Sequence, residues 1–160
     1  MLGVKLLCVG KMREKHYMEA LQEYEKRLRP YCRLEIEELP EYRLPESPSE
    51  GEIEAALDRE AEQILSKIPA GAWVCALCIE GEMRSSEELA ALLQRLTVRG
   101  VSRAVFLIGG SFGLHGRVKA RADERLSMSR MTFPHHLARV MLAEQLYRAF
   151  SIQNGGKYHK

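Results

Sequence analysis

The segment Val105-Phe-Leu-Ile-Gly-Gly-Ser-Phe-Gly-Leu114 carries the strongest indication of the fold. Its apolar first half predicts a strand buried on both faces, as in a parallel sheet. The glycines that follow predict a turn whose backbone a ligand can approach closely, at the carboxyl end of a strand, where open α/β sheets bind ligands. The spacing matches neither GxGxxG nor a P-loop. A plain glycine turn between a strand and a helix fits equally well, so the segment indicates a site without identifying its ligand.

Strand and helix patterns alternate along the chain before this segment. Short apolar runs predict strands at residues 2–9, 33–39, 72–79 and 104–108, and apolar residues at helical spacing predict helices at residues 16–28, 49–68 and 85–99. Ser85 and Glu88 form a capping box that marks the start of the third helix. Strands that alternate with helices predict one α/β domain over residues 1–160, with a mostly parallel sheet flanked by helices.

The chain after the glycine segment is less regular. Its pattern predicts a short helix at residues 117–125, an extended piece at 126–131, a helix at 134–150 and a polar tail at 151–160. The second loop, Leu126-Ser-Met-Ser-Arg-Met-Thr-Phe-Pro-His-His136, is rich in Ser, Thr and Met. Its Met and Phe side chains could line an apolar slot for a flat ring, although methionine-rich segments more often serve core packing.

The helix predicted at residues 134–150 is apolar around most of its circumference. Its clearly polar positions are few: Arg139, Glu144, Gln145 and Arg148. An ordinary surface helix carries a single apolar stripe, so this helix is either the central core helix of a monomer or packs on its own sheet and on a second subunit. We expect the second arrangement and therefore a homodimer, with Glu144 and Arg148 paired within the helix.

The cysteine and histidine patterns do not indicate a metal site. Cys75 and Cys78 are three residues apart within a predicted strand, so their side chains point to opposite faces. No second CxxC completes a zinc tetrad, and the adjacent His135 and His136 are expected to diverge. We interpret the cysteines as small apolar residues of the core.

The charge of the chain is unevenly distributed. Residues 1–100 hold 14 basic and 19 acidic residues, whereas residues 101–160 hold 10 basic and 3 acidic residues. Such asymmetry suggests a polyanionic partner on the basic side. The basic residues that we expect to contribute are Arg117, Lys119, Arg121, Arg125, Arg130, Arg139, Arg148, Lys157 and Lys160.

The apolar segments are short. None approaches the roughly 20 residues that a membrane-spanning helix needs, and the start of the sequence does not read as a signal peptide. We therefore expect a cytoplasmic protein without a membrane partner.

Four motifs taken together resemble one family. They are Leu107-Ile-Gly-Gly-Ser-Phe-Gly-Leu114, Leu126-Ser-Met-Ser-Arg-Met-Thr-Phe-Pro-His135, Glu144-Gln-Leu-Tyr-Arg-Ala-Phe150 and Tyr158-His-Lys160. In this order they resemble the RlmH family, bacterial SPOUT-class methyltransferases that act on N3 of a pseudouridine in 23S ribosomal RNA. The resemblance covers the whole chain, including Leu7-Cys-Val-Gly-Lys11 and Glu23-Tyr-Glu-Lys-Arg27 near its start.

The resemblance implies a fold, a cofactor and partners. The fold is a SPOUT fold, in which the C-terminal part of a parallel sheet is threaded into a trefoil knot. The cofactor is S-adenosylmethionine, and the partners are a second copy of the chain and the ribosome. Carried over by motif, the cofactor-binding residues are Leu77, Gly109, Met128, Ser129, Arg130, Met131, Thr132 and Phe133. The acidic residues before residue 90 are then expected on solvated faces turned away from the ribosome.

The C-terminal tail provides the catalytic candidates. His159 is the best candidate for a general base at the pseudouridine N3, with Tyr158 and Arg148 as orienting groups, although a simple RNA or packing contact would explain His159 as well. Lys157 stands where many relatives have proline, and Gly155-Gly156 precedes it, so the tail is expected to be less rigidly held.

Three other functions compete with this reading. The chain could bind ribosomal RNA without catalysis, or methylate another RNA such as a tRNA ribose, since a fold alone does not fix the substrate. It could also be a flavodoxin-like nucleotide-binding module, which the alternating pattern alone allows. The target nucleotide, the general base and the need for a dimer in catalysis are open at this point.

Overall fold

The computed structural model describes all 160 residues. The strands are β1 (Gly3–Val9), β2 (Arg33–Leu39), β3 (Trp73–Met83), β4 (Arg103–Ile108) and β5 (Glu124–Ser127). The helices are α1 (Lys15–Leu28), α2 (Glu50–Ser66), α3 (Ser86–Val98), α4 (Gly116–Arg121) and α5 (His135–Gln153). The strands form one sheet in the order β2-β1-β4-β3-β5. All neighbouring pairs are parallel, which confirms the predicted α/β class.

The central strands are buried on both faces because helices cover both sides of the sheet. On one face, Leu6 of β1 and Phe106 of β4 pack with residues of α3 and α5. On the other face, Leu7 of β1 and Leu107 of β4 pack with residues of α2 and α4. Neighbouring residues of a strand point to opposite faces, so these near-continuous apolar strands supply both cores.

The predicted boundaries are confirmed in the N-terminal half, where the Ser85–Glu88 capping box is also formed. Two predictions near the functional end were wrong. Strand β3 continues to Met83 instead of ending at residue 79, and α4 ends at Arg121 because residues 124–127 form β5. Gly81 lets β3 pass β5 closely, since a Cβ at this position would lie 2.7 Å from the carbonyl carbon of Leu126.

Helix α5 is packed on several sides against other elements of its own chain. It packs between α1 and α3, with Leu142 and Leu146 in the larger core cluster and Val140 in a smaller cluster with α1. No residue of α5 is fully exposed. The wide apolar surface of this helix is therefore met by its own chain, and the predicted homodimer has to rest on other grounds.

Arg139 does not lie on a solvated face of α5, as its charge had suggested. It is only 1% exposed, and its guanidinium is paired with Glu38 at the end of β2. Arg139 cannot contact RNA from this position, so its place among the expected polyanion contacts was wrong.

Helix α5 also extends into the predicted tail. It ends at Gln153, with Ser151 buried. Gly155 adopts a φ of +67°, and the Gly156 N–H donates to the Ser151 carbonyl at 2.8 Å, an arrangement typical of a glycine-terminated helix. None of the five helices combines the length and apolarity needed to cross a membrane.

Candidate functional site

A cavity of about 660 Å³ opens at the carboxyl ends of β3 and β4. Its walls are the end of β3, the glycine loop after β4, and the second loop between β5 and α5. About half of the lining residues are apolar. Its volume lies within the range of cavities that bind small molecules and cofactors.

The structure brings together most of the cofactor residues implied by the resemblance. Seven of the eight line the cavity: Leu77, Gly109, Met128, Ser129, Met131, Thr132 and Phe133. Arg130 lies in the same loop but is exposed and not part of the lining. The three segments are far apart in sequence and meet because β3 lies between β4 and β5 in the sheet.

The glycine loop leaves no free space for a side chain at its first two positions. A Cβ on Gly109 would lie 2.4 Å from the Gly113 carbonyl oxygen, and a Cβ on Gly110 would lie 2.6 Å from Oε1 of Glu41. The same Glu41 oxygen accepts a hydrogen bond from the Ser111 N–H at 3.3 Å. The loop is thereby held against the chain that follows β2.

The second loop is shaped by its own serines. The Ser127 hydroxyl donates to the Ser129 carbonyl, and the Ser129 hydroxyl accepts from the Met131 N–H, both at 3.0 Å. Serine side chains that bond to nearby backbone favour such turns over regular structure. The turn explains why the extended piece predicted at residues 126–131 stops at Ser127.

The cavity also contains four titratable residues that were not among the predicted site residues: Cys78, Glu80, Lys119 and His135. Burial raises the pKa of the Cys78 thiol, and the Lys119 ammonium, which is paired with Glu80, lowers the pKa of that carboxyl. Burial, followed by the neighbouring His136, lowers the pKa of His135. Cys78 already lies in the strand predicted at residues 72–79, and a strand predicted one residue longer would have included Glu80, whereas Lys119 comes from α4.

Three of the four cysteines are buried in the core as predicted, whereas Cys78 is only partly buried. Cys75 is buried and Cys78 faces the cavity, so the two thiols diverge as predicted, and all four cysteines are free. Burial raises the pKa of Cys32 to about 11. No group of three or more His, Cys, Asp and Glu side chains has the arrangement of a metal site.

The three catalytic candidates of the C-terminus form one cluster. The Tyr158 ring packs against the Arg148 guanidinium, 4.6 Å from ring centroid to Cζ, and its hydroxyl donates to Glu144 at 3.0 Å. Glu144 and Arg148 form the predicted pair, at 2.6 Å. His159 lies 3.2 Å from Arg148 Nη1 through Nδ1 and 2.6 Å from Glu87 through Nε2. The tail is therefore held by specific contacts despite Lys157 and the two glycines.

The contacts of this cluster indicate which ring nitrogen of His159 accepts a hydrogen bond and which one donates. A guanidinium only donates hydrogen bonds, so Nδ1 of His159 accepts from Arg148 and the ring proton on Nε2 points to Glu87. None of Arg148, Tyr158 and His159 lines the cavity of its own chain. The sequence grouped these residues with one another correctly, but a single chain does not bring them to the cavity at the ends of β3 and β4.

Ion pairs neutralise much of the basic excess of residues 101–160. Arg117 is 2.9 Å from both Asp58 and Glu62, and Lys119 is paired with Glu80. The acidic partners belong to the first 100 residues, so part of the charge asymmetry is satisfied inside the molecule. These carboxylates are more than half exposed, as expected for solvated faces, but they are paired with basic residues of the same chain. The basic residues of this region without an ion pair are Arg103, Arg125, Arg130, Lys157 and Lys160.

Comparison with protein families supports the assignment made from motifs. The family model described as "Predicted SPOUT methyltransferase" matches residues 2–159. A solved structure, described as a probable methylase family protein from Haemophilus influenzae Rd KW20, superposes with a TM-score of 0.51 over 96% of this chain and 67% of its own, at 14% identity. At that identity the superposition supports the SPOUT fold alone. The trefoil knot stays a prediction.

Proteins of known name are similar along their whole length. Proteins from Bacillus pumilus and Clostridioides difficile are each 48% identical over 159 residues, covering 99% of this chain and all of the relative. One from Streptococcus uberis is 45% identical over the same span. All three are named "Ribosomal RNA large subunit methyltransferase H".

Proposed function

The chain belongs to the SPOUT methyltransferase family, and from this membership we propose that it methylates N3 of a pseudouridine in large-subunit (23S) ribosomal RNA. The methyl donor would be S-adenosylmethionine and the substrate the assembled ribosome, which places the protein in the cytoplasm. The observation that carries the proposal is the identity of 45–48% along the full length of relatives named for large-subunit ribosomal RNA methylation.

The cavity has the chemistry that this cofactor requires. Leu77, Met128 and Phe133 offer apolar surface for a flat base, while the glycine loop offers backbone N–H and C=O groups. S-adenosylmethionine would supply a methyl group already activated on a sulfonium centre. The task left to the protein is to position the attacking nitrogen and manage its proton.

The proton on pseudouridine N3 must be removed because an imide nitrogen is a poor nucleophile while protonated. We assign this task to His159, oriented by Arg148 and Tyr158. In the arrangement described above, Arg148 occupies the lone pair on Nδ1 of His159. The hydrogen bond from Arg148 to Nδ1 has to break, or Nε2 has to leave Glu87, before His159 can accept the substrate proton.

A composite site in a homodimer would resolve the separation between the tail cluster and the cavity. We propose that the tail of one subunit completes the cavity of the other. Each polypeptide would then contribute a cofactor-binding half and a proton-accepting half. This proposal rests on the observation that none of Arg148, Tyr158 and His159 reaches its own cavity.

Methylation of defined ribosomes would test the function. Ribosomes that lack the modification are incubated with the protein and isotopically labelled S-adenosylmethionine, and the methylated nucleotide is located by mass spectrometry. We expect a single labelled pseudouridine in the large subunit. Methylation of free tRNA but not of ribosomes would contradict the proposal.

Mixed dimers would test the composite site. Gly109→Val and His159→Ala subunits are prepared separately and then mixed under conditions that allow exchange. Activity in the mixture, absent from either parent, is the expected result, because one of the two sites in each mixed dimer would be intact. If His159→Ala alone keeps normal single-turnover methylation and RNA affinity, His159 has no part in the mechanism.

A further inference from the structure

A second cavity, of about 730 Å³, lies beside the cofactor cavity. It is enclosed by the turn after β1 and by the proline-rich loop of residues 40–48. The two cavities share Ser111 and Phe112 of the glycine loop. A ligand in the second cavity would therefore lie next to a ligand in the first.

Three basic side chains line the second cavity and are available to a partner. Lys11, Arg13 and Arg43 are all exposed. None of them takes part in an ion pair. They differ in this respect from Arg117, Lys119 and Arg139, whose charges are already neutralised inside the molecule.

Most carboxylates of the second cavity are engaged in internal contacts. Glu38 is paired with Arg139 at 2.6 Å, and Glu41 accepts the Ser111 N–H. Glu60 is buried and accepts the Tyr42 N–H at 3.1 Å. Burial raises the pKa of its carboxyl, which favours the neutral form. Glu46 is the remaining acidic residue. The groups free to bind a ligand are therefore predominantly cationic.

Phe112 adds an aromatic surface at the junction of the two cavities. Its side chain is 49% exposed, and it is the only aromatic residue among the large apolar side chains that are exposed. Unstacked bases of single-stranded nucleic acid stack on exposed aromatic rings, while neighbouring cations bind the phosphates.

We propose that the second cavity is an RNA-binding cleft that holds a nucleotide flanking the methylated one. Phe112 stacks the flanking base, and Lys11, Arg13 and Arg43 bind backbone phosphates. The inference rests on the proposed RNA-methylating function and deepens it by assigning the face that meets the RNA. That face is built from the N-terminal turn and the proline-rich loop, not from the basic C-terminal segment.

Charge removal on matched sets of residues would test the cleft. In one variant Lys11, Arg13 and Arg43 are replaced by glutamine, and in the control Arg29, Arg99 and Arg103 are replaced. The control arginines are also exposed and unpaired but lie near the starts of β2 and β4, at the opposite edge of the sheet. Binding to ribosomes and to a short oligouridylate is measured across about 50 to 200 mM salt.

The cleft variant is expected to bind both RNAs at least about tenfold more weakly. Its logarithmic salt slope should be shallower by about 2, since each single-strand phosphate contact contributes about 0.7. The control variant should lose less than about twofold. Equal losses in the two variants, or no binding of either RNA by the unmodified protein at the lowest salt, would overturn the proposal.

Substitution of Phe112 separates stacking from charge. Phe112→Ala should weaken RNA binding about tenfold with an unchanged salt slope, because stacking releases no counterions, and Phe112→Trp should restore it. S-adenosylmethionine affinity, measured by calorimetry, identifies any loss that arises from the cofactor cavity. Unchanged RNA binding by Phe112→Ala would remove Phe112 from the cleft.

Crosslinking distinguishes failure of the cleft from failure of the proposed function. A 4-thiouridine oligonucleotide should crosslink to peptides containing Lys11, Arg43 or Phe112, whether or not any ribosome is methylated. Crosslinks at the cleft without methylation of ribosomes would contradict the function and leave the cleft standing. Methylation of ribosomes with crosslinks confined to other faces would contradict the cleft alone.

Discussion

The buried guanidinium of Arg139 donates to the carboxylate of Glu38, whose side chain is 36% exposed, with an Nη1–Oε2 distance of 2.6 Å. Its Nη2 donates to the Gly10 carbonyl at 3.0 Å, and Oε2 of Glu38 also accepts the Met12 N–H at 2.7 Å. This one pair therefore joins α5, the end of β2 and the turn after β1. Glu38 and Gly10 both line the second cavity, so the pair also supports the wall of the proposed cleft.

Removal of Glu38 should destabilise the protein strongly. Glu38→Gln leaves the buried Arg139 charge without its partner, and we expect the free energy of unfolding in urea to fall by about 3 kcal/mol. Arg139→Met should cost less, because it removes the buried charge itself while keeping most of the side-chain volume.

Glu35→Gln is the matched control in the same strand. Glu35 is 63% exposed and 3.5 Å from Lys5, and exposed pairs contribute at most about 1 kcal/mol. A similar loss of unfolding free energy from Glu35→Gln and Glu38→Gln would show that the Arg139–Glu38 pair has no special role.

The two glycines of the cofactor loop should differ in their tolerance of alanine. At Gly109 the added Cβ meets backbone of Gly113, which cannot move without opening the loop. At Gly110 it meets the end of the Glu41 side chain, which can rotate away. We expect Gly109→Ala to weaken S-adenosylmethionine binding more than about tenfold and Gly110→Ala several-fold less, measured by calorimetry. Equal effects would contradict the close packing described at Gly109.

Alkylation of Cys78 should report on occupancy of the cofactor cavity. Its raised pKa predicts slow reaction with iodoacetamide at neutral pH, since the thiolate is the reactive form. Saturating S-adenosylmethionine should slow it further, because Cys78 lines the cavity. The modified residue is identified by peptide mass spectrometry, with Cys78→Ser as the control. Equal rates with and without a bound cofactor would contradict the assignment of this cavity.

Glu14 should contribute to the acid sensitivity of the fold. Hydrogen bonds, first to its own backbone N–H and then to His136, lower its pKa from 4.5 to about 2. The ionised carboxylate therefore stabilises the folded state above pH 4.5, and this contribution is lost as the pH falls towards 2.

Glu14→Gln should thus lower stability at pH 6, and its difference from the unmodified protein should shrink as the pH approaches 2. Urea unfolding at several pH values measures this convergence. Glu14 is the residue before the first turn of α1, and Glu19→Gln, within α1 and without a contact to His136, is the control and should show little difference at any pH. A constant deficit of Glu14→Gln at all pH values would exclude an effect of its charge.

The sequence predicted the elements whose patterns are local. Alternating strands and helices up to residue 108 follow from apolar periodicity and from the Ser85 cap, which depend on neighbouring residues. The errors arise where long-range contacts decide. Glu80-Gly81-Glu82 interrupts an apolar run, yet β3 continues through it because Gly81 packs against β5. Arg139 was expected at the surface because its partner Glu38 is 101 residues away.

The same distinction between local and long-range contacts applies to the site. Motifs identified the segments of the cavity because each is continuous in sequence. Lys119 and the second cavity were not predictable, since they depend on how α4 and the proline-rich loop fold back onto the sheet. Periodicity likewise could not show that the tail residues cluster away from the cavity of their own chain.

The strand order has a consequence for how the protein is made. Strands β1, β2 and β3 lie within the first 83 residues, yet β1 and β3 are not neighbours and pair only through β4, residues 103–108. A nascent chain shorter than this therefore holds separate β segments with unpaired edges, which invite association with other chains. β1 and β3 can join one sheet only after β4, about two-thirds of the way along the polypeptide, has been synthesised. N-terminal fragments should accordingly aggregate, and folding should be governed by long-range pairing late in synthesis.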